Sequence, residues 1–440
     1  MNVLPLQRQR VGSRGRPQER SGLVAALDVG STKVCCVIGE VKPNKRNLGN
    51  GEGAHLQVIG IGHQASRGVY SGAVVNLDEA ERAIRLAVDA AERMAGQNIS
   101  EVHVNVSGGR PCCTMHSAKM RIPGPSVTAT DIKTVLAAAM RGIDSGKRVV
   151  LHATPVKFDL DDAKGVRYPE GMFGERLSAE VSAVTVSAGP ARNLALAVER
   201  CHLGLAGLAV APYAAGRTVL SEDELTLGAA VVDMGGATTS IAAFLDGHLI
   251  HSEVVPLGGH HITKDLATGI STSIAHAERL KTLYGSALSS VWDEREMIAI
   301  PLLGERGADP MQKVPRSMLT AIVRPRLEEI LELVKEKLDG CPSAERAARQ
   351  VVLTGGASQL TGLREVASQI LGRNVRLGSP RPLPGMPEAA SGPAFAVVAG
   401  LLDYAMKPDP TLISLPQIDR RLKSQNHYLV RVGQWIRESF

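Results

Sequence analysis

Apolar runs and polar breaks follow two periods along this chain. Residues 24–40 read VAALDVGSTKVCCVIGE: an apolar run, a polar turn carrying Asp28 and Gly30, then a second apolar run. Residues 227–246 repeat the scheme, with Ala229 to Val232, a turn through Asp233-Met234-Gly235-Gly236, and Ser240 to Leu245. Each predicts a β-hairpin with an acid at its tip. A third β-branched strand, Val351-Val352-Leu353, runs into Thr354-Gly355-Gly356-Ala357 and then a helix.

Between these turns the period switches. Residues 77–96 place Ala80, Ile84, Ala87, Val88 and Ala91 on one helical face, with Asp78 and Glu79 in the first turn and Gly96 at the end. Further helices are predicted over 132–141 (capped by Thr130-Asp131), 193–202, 214–220, 274–284, 319–338 and 394–406, and in a segment capped by Thr263 that carries Asp265. Strands are predicted over 56–62, 102–106, 180–188 and 208–212, a strand end over 120–125, and a strand pair over 149–160. SGGRPCC from Ser107 reads as a turn, residues 286–316 as irregular, and 381–393 as a Pro-rich loop.

One Asp-x-Gly turn is usually only a turn. Two in matching strand contexts, about 200 residues apart, indicate an internal duplication. Glycine turns let backbone N–H groups wrap an anion, and an Asp at the tip holds Mg2+ directly or through water. Two such hairpins facing each other would pinch a polyphosphate and share one Mg2+ between Asp28 and Asp233.

DVGSTK from Asp28, DMGGATT from Asp233 and LTGGASQLTG from Leu353 resemble the phosphate-1, phosphate-2 and adenosine motifs of the actin/Hsp70/sugar-kinase ATPases. Within that superfamily the chain is most similar to the FtsA family of bacterial cell-division proteins. SRGVYSGAVVNLDEA from Ser66, VHVNVSGGR from Val102, VLHATPVKFDLDD from Val150 and ITKDLATGISTSIAHAERLKTLYG from Ile262 carry that likeness in order. The resemblance implies an α/β, two-lobed actin-like fold of duplicated ribonuclease-H-like lobes with an inserted α+β subdomain. It divides the chain into an Arg-rich arm (1–21), lobe 1 (22–105 and 183–215), the insert called 1C (106–182), lobe 2 (216–392), a return helix (393–407), a linker (408–427) and a terminal helix (428–440).

It further implies ATP and Mg2+ as ligands. Ser31, Thr32 and Lys33 would take the β- and γ-phosphates from one side, and Gly235, Gly236, Ala237 and Thr238 from the other. Gly355, Gly356 and Ala357 would pass the adenosine, while Glu278 and Lys281 flank ribose and adenine. Without the resemblance, the three-residue spacing of that last pair reads as a surface ion pair. Two departures stand out. Ala237 replaces a usual glycine, which predicts a slightly altered turn. Ala211 stands where efficient relatives place a Glu or Gln that orients water, which predicts tight binding and slow hydrolysis.

Composition changes the picture at the ends. The net charge is +6, and Arg8, Arg10, Arg14, Arg16 and Arg20 crowd the first twenty residues. That arm reads as disordered, suited to anionic lipid if anything; no nucleic-acid partner is expected. Aromatics make up only 3%, so the cores must be aliphatic. The six cysteines show no zinc spacing and read as buried small hydrophobes in a reducing cytoplasm. No run is long enough for a transmembrane helix, and no secretory signal stands at the start.

The tail, YLVRVGQWIRESF from Tyr428, places Leu429, Val432, Trp435, Ile436 and Phe440 on one helical stripe beside Arg431 and Arg437. That is the pattern of a helix lying in a membrane interface, and a helix docked on protein is the other reading. One such tail binds marginally and several on a polymer bind firmly. By resemblance, the chain forms filaments with itself and tethers FtsZ, through its C-terminal tail, to the cytoplasmic face of the inner membrane at the septum. It recruits later division proteins through 1C, though a lid over the cleft is a second reading of that insert. The FtsZ contact falls loosely on Arg316, Arg324 and Arg326, which a solvated basic face explains equally well. A sugar-type kinase or an Hsp70-like chaperone are the competing functions. The first lacks a convincing base, and the second lacks room for a peptide-binding domain after Met406.

Overall fold

A computed structural model describes residues 22–42, 55–143, 147–301, 311–340 and 347–406. The expected Arg-rich arm and the expected membrane helix with Leu429, Val432, Trp435, Ile436 and Phe440 lie outside them.

In chain order the first elements are β1 (Gly22–Val29), β2 (Lys33–Lys42), β3 (His55–Ala65), β4 (Val69–Tyr70), β5 (Ala73–Val74), α1 (Leu77–Ala95) and β6 (Glu101–Val106). An insert follows: β7 (Cys112–Arg121), α2 (Ala129–Arg141), β8 (Arg148–Leu160), β9 (Ala163–Val166) and β10 (Arg176–Ser187). The chain then returns through α3 (Ala188–Glu199), β11 (Gly204–Val210), α4 (Ala211–Val219) and α5 (Glu222–Leu227). The second half holds β12 (Ala229–Met234), β13 (Thr239–Leu245), β14 (His248–Val255), α6 (Gly259–Gly269), α7 (Ile274–Tyr284), β15 (Met297–Pro301), β16 (Met311–Pro315) and α8 (Arg316–Asp339). It closes with β17 (Gln350–Thr354), α9 (Leu363–Leu371), β18 (Asn374–Leu377) and α10 (Ala396–Met406).

Two five-stranded sheets share one order. The first runs β3-β2-β1-β6-β11 and the second β14-β13-β12-β17-β18. In each, the first three strands pair antiparallel and the last two join in parallel. The duplication read from two hairpins thus extends to ten strands. Central strands are apolar on both faces, as parallel neighbours and covering helices require: Val34 to Ile38 and Ala229 to Val232 are buried throughout. Cys35 and Cys36 lie in that core, where burial pushes the Cys35 thiol up to about 12.

Each lobe carries its insertion at a different point. In lobe 1 it follows β6 and forms a four-stranded sheet, β7-β10-β8-β9, against α2. In lobe 2 it follows β14 and forms α6, α7 and the β15–β16 hairpin around Ile262, Leu266, Ile300 and Leu319. The lobe 1 insert also meets lobe 2. The Cys113 thiol donates to the Ile250 carbonyl at 3.3 Å, and Arg167 pairs with Asp246 at 2.6 Å. Helix α4 lies against both sheets and α10 against the first, and the two come so close that a Cβ on Gly400 would overlap the Ala214 carbonyl.

Several local expectations give way. Thr128, not Thr130, caps α2, exchanging hydrogen bonds with Asp131 in a capping box. Thr263 lies inside α6, which starts at Gly259. Residues 149–160 form one long strand, because β10 pairs along the whole of β8 across two bulges. The strand β7 covers the cysteines assigned to a turn, and a hairpin occupies part of the stretch expected to be irregular. Helix α3 begins before Asn193, at Ala188, because Gly189 and Pro190 fit a first helical turn.

Candidate functional site

The two hairpin tips are the same four-residue turn. In lobe 1 Val29 pairs with Val34, and the Gly30 N–H donates to the Lys33 carbonyl at 2.9 Å. In lobe 2 Met234 pairs with Thr239, and the Gly235 N–H donates to the Thr238 carbonyl at 2.9 Å. Ala237 is not among the residues with positive φ, so its Cβ leaves the turn undistorted. The alteration expected at this position does not occur.

The turns meet. A Cβ on Gly236 would overlap the Thr32 side chain, and one on Gly355 would overlap the Asp233 carboxylate. Gly355 also has φ of +88°, which a side chain would strain. The phosphate-1, phosphate-2 and adenosine turns therefore converge on one place. Lobe 2 braces its turn with α6: the Gly259 N–H donates to the Gly235 carbonyl at 2.9 Å and the His260 N–H to that of Gly236 at 2.6 Å.

Asp28 is buried and Asp233 half-buried. Burial raises Asp28 to about 6, against the pull of Lys33. Burial, and after it the Asp28 carboxylate, raises Asp233 to about 7 against the pull of Lys33. The two acids thus feel one another, and a single ammonium leaves them under-compensated. A divalent cation fits that deficit. Among the described residues no group of three or more His, Cys, Asp or Glu could hold a metal. Two carboxylates therefore suit an ion held mostly by water and phosphate oxygens, as Mg2+ is.

The predicted side chains have partners. The Gly72 N–H donates to Ser31 Oγ at 3.0 Å, tying the turn to the β4–β5 hairpin. Lys33 Nζ donates to the Ala394 carbonyl at 2.7 Å and lies 3.6 Å from the Phe395 ring centroid. Glu278 and Lys281 do form an ion pair, at 2.7 Å, yet it is not a bare surface pair. Lys281 Nζ also donates to Thr263 Oγ1 at 2.9 Å and to the Gly259 carbonyl at 3.1 Å, and Thr263 donates to Glu278. Burial works against ionisation of Glu278, but the hydrogen bonds from Lys281 and Thr263 outweigh it and hold the pKa below the usual carboxylate value. Ala357 packs against Gly259, so this pair, the phosphate-2 turn and the adenosine turn sit together.

The three arginines are all engaged within the chain. Arg316 pairs with Glu296 at 3.0 Å, Arg324 with Glu328 at 2.8 Å, and Arg326 with Asp265 at 2.6 Å and with Glu329. They belong to α8, and none of them is paired with a residue of the convergent turns. Sequence reasoning missed Thr263 as the bridge between Glu278 and Lys281, and missed Ala394 and Phe395 altogether. The only available signal for the latter was the one Phe near the end of a Pro-rich loop.

Family comparison agrees with this geometry. The sequence model described as "Cell division protein FtsA" matches residues 230–400, and that of the "SHS2 domain inserted in FTSA" matches 108–185. The cell division protein FtsA of Rhizobium meliloti is 45% identical over 425 residues, covering 96% of either chain. That of Escherichia coli K12 is 32% identical over 426 residues, covering 95% of this chain and 98% of the relative. Among solved structures, a PilM–PilN type IV pilus biogenesis complex aligns with a TM-score of 0.60 at 18% identity, covering 88% of this chain and 99% of that one. MreB5 of Spiroplasma citri bound to ADP aligns at 0.51 and 14%, covering 87% and 95%. These structures show the actin-like fold alone. With identity sustained along nearly its whole length, the chain belongs to the FtsA family of cell-division proteins.

Proposed function

We propose that the cleft binds ATP with Mg2+, and that the chain is an actin-like division protein that assembles into filaments and tethers FtsZ to the cytoplasmic face of the inner membrane at the septum. The observation that carries the reading is the packing of Gly236 on Thr32 and of Gly355 on Asp233, which brings three glycine turns and two carboxylates to one place. Phosphoryl groups need backbone donors and a metal more than side-chain chemistry. Asp28 and Asp233 would hold the ion through water. Ser31, Thr32 and Lys33, and opposite them Gly235 to Thr238, would hold the phosphates. Gly355 to Ala357 with Glu278 and Lys281 would hold the nucleoside. Ligand contacts from both lobes favour the closed form.

Ala211 opens α4 and is buried, and its methyl group cannot orient water. Hydrolysis is therefore slow. Steady-state turnover measured on the purified chain tests this, and a rate typical of efficient ATPases overturns it.

Attachment to lipid resides in the stripe ending at Phe440. An acidic FtsZ tail meets α8, where binding exchanges the peptide's carboxylates for those already on the arginines. Arg324 carries the most exposed of those side chains and is assigned the first contact. Later division proteins are recruited through the lobe 1 insert. The deciding experiment images the full chain on anionic vesicles with and without ATP. ATP-dependent filaments on lipid, lost in Trp435→Glu, are expected. A phosphorylated small-molecule product, or binding unchanged in Trp435→Glu, overturns the tether.

A further inference from the structure

Lys33 is the only cation in the two phosphate turns, and its position is set from more than 350 residues away in sequence. The Pro393–Phe395 turn lies just before α10 and is itself closed by a hydrogen bond from the Phe395 N–H to the Gly392 carbonyl at 3.0 Å. Four neighbouring groups meet it. Lys33 takes the Ala394 carbonyl and the Phe395 face. The Gly355 N–H donates to the Pro393 carbonyl at 3.2 Å, and Thr354 Oγ1 reaches the same oxygen at 3.4 Å. His63 of β3 packs its ring edge-on to Phe395, with centroids 6.4 Å apart, and so fixes the ring.

An ammonium has three donors. Here one goes to a carbonyl and an aromatic face covers one side, while the charge still acts on both Asp28 and Asp233. The Lys33 ammonium is thus held at this turn, near enough for its charge to lower both acids.

We propose that Phe395 and the Ala394 carbonyl are positioning groups for Lys33, and that the Pro393–Phe395 turn is a working part of the phosphate site, spacing the lobe 1 cation from the adenosine turn. The proposal rests on the nucleotide reading above. Phe395 touches no phosphate; it acts through Lys33. Losing the ring face frees the lysine to other rotamers and weakens its pull on a polyphosphate, with no effect on the nucleoside.

The test measures dissociation constants of the full chain for ATP, ADP and adenosine with Mg2+. Phe395→Leu keeps the apolar volume and removes the face. It is expected to weaken ATP and ADP about three- to tenfold, in the range of one cation–π contact, and to leave adenosine unchanged. Phe395→Tyr restores the face and is expected to bind like wild type. In a Lys33→Met background, Phe395→Leu is expected to do nothing further. Equal weakening for adenosine, the same loss in the Lys33→Met background, tighter ATP binding in Phe395→Leu, or no change at all overturns the proposal. A wild-type chain that binds none of the three ligands overturns the nucleotide reading, and the proposal falls with it.

Discussion

The two phosphate turns have one backbone and opposite contents. The lobe 1 turn, Gly30 to Lys33, carries two hydroxyls and an ammonium. Two of these are anchored from outside the hairpin, Ser31 by the Gly72 N–H and Lys33 by residues 394 and 395. The lobe 2 turn, Gly235 to Thr238, carries no charge, and what helix α6 grips is its main chain. Duplication thus kept the geometry and divided the chemistry. Both turns hold a threonine hydroxyl, but only the first supplies charge, and the second offers at Gly236 a backbone bare enough for Thr32 to approach. The acids record the same asymmetry. Asp28 has the lobe 1 lysine beside it and rises to about 6; Asp233 rises to about 7.

The comparison breaks most severely at Gly236. Gly236→Val forces a branched side chain into Thr32, and the turns can no longer meet. ATP affinity is expected to fall at least about 100-fold, roughly 3 kcal/mol, by calorimetry, while circular dichroism shows an intact fold. Wild-type affinity in this variant would mean that the turns do not share a ligand.

The next effect separates the two acids. Both folded pKa values lie above the ordinary 3.8. Between about pH 4 and 7 the unfolded chain has lost protons that the folded chain keeps. The ligand-free protein therefore loses stability as pH rises through that window and levels off above it. Asp233→Asn removes that group's share of the slope. At pH 8 it is expected to raise ligand-free stability by on the order of 1–3 kcal/mol, and to abolish the further stabilisation that Mg2+ and ATP give the wild type. Asp28→Asn should do the same by less, because burial alone raises Asp28, whereas at Asp233 the Asp28 carboxylate adds to burial. Melts at pH 5 and pH 8, with and without ligand, decide it; a destabilised Asp233→Asn at pH 8 contradicts the charge deficit.

A smaller effect belongs to the nucleoside end. Glu278→Ala leaves Lys281 and Thr263 without their shared acceptor. Adenosine affinity is expected to drop about fivefold, with no change in the Mg2+ requirement. The smallest expected change is that of Ser31→Ala, which removes the acceptor of the Gly72 N–H and should lower stability by about 0.5–1 kcal/mol in chemical denaturation.

Legibility in the sequence followed the range of the forces involved. The hairpins around Asp28 and Asp233 could be read because each is local: apolar strand, glycine turn, apolar strand within about twenty residues. Helix α1 was equally plain, with Asp78 and Glu79 in its first turn, a Gly96 stop and one apolar face, and the structure adds the Asn76 cap. Strand β7 was hidden because none of its residues is fully buried, its alternation running only between exposed and half-buried; pairing with β10, far along the chain, makes it a strand. The strand break expected within 149–160 failed for the same reason, since β10 carries β8 past its bulges. At the site, the acids and glycines were legible as types. What each side chain touches was not. Lys33 reads as a phosphate ligand in its own hexapeptide, and only the folded chain brings Ala394 and Phe395 to it. Arg326 reads as a free basic group on a helix, and only packing sets Asp265 of α6 against it.

The crossing of α4 and α10 has a mechanical consequence. Where Gly400 meets Ala214, the helices touch main chain to main chain, with no side chain between them. Around that point side chains join the same two helices: Arg217 pairs with Asp403 at 2.9 Å and the Thr218 hydroxyl donates to the Ala396 carbonyl at 3.3 Å. The crossing is therefore a clasp, and a methyl group at position 400 would prise it apart.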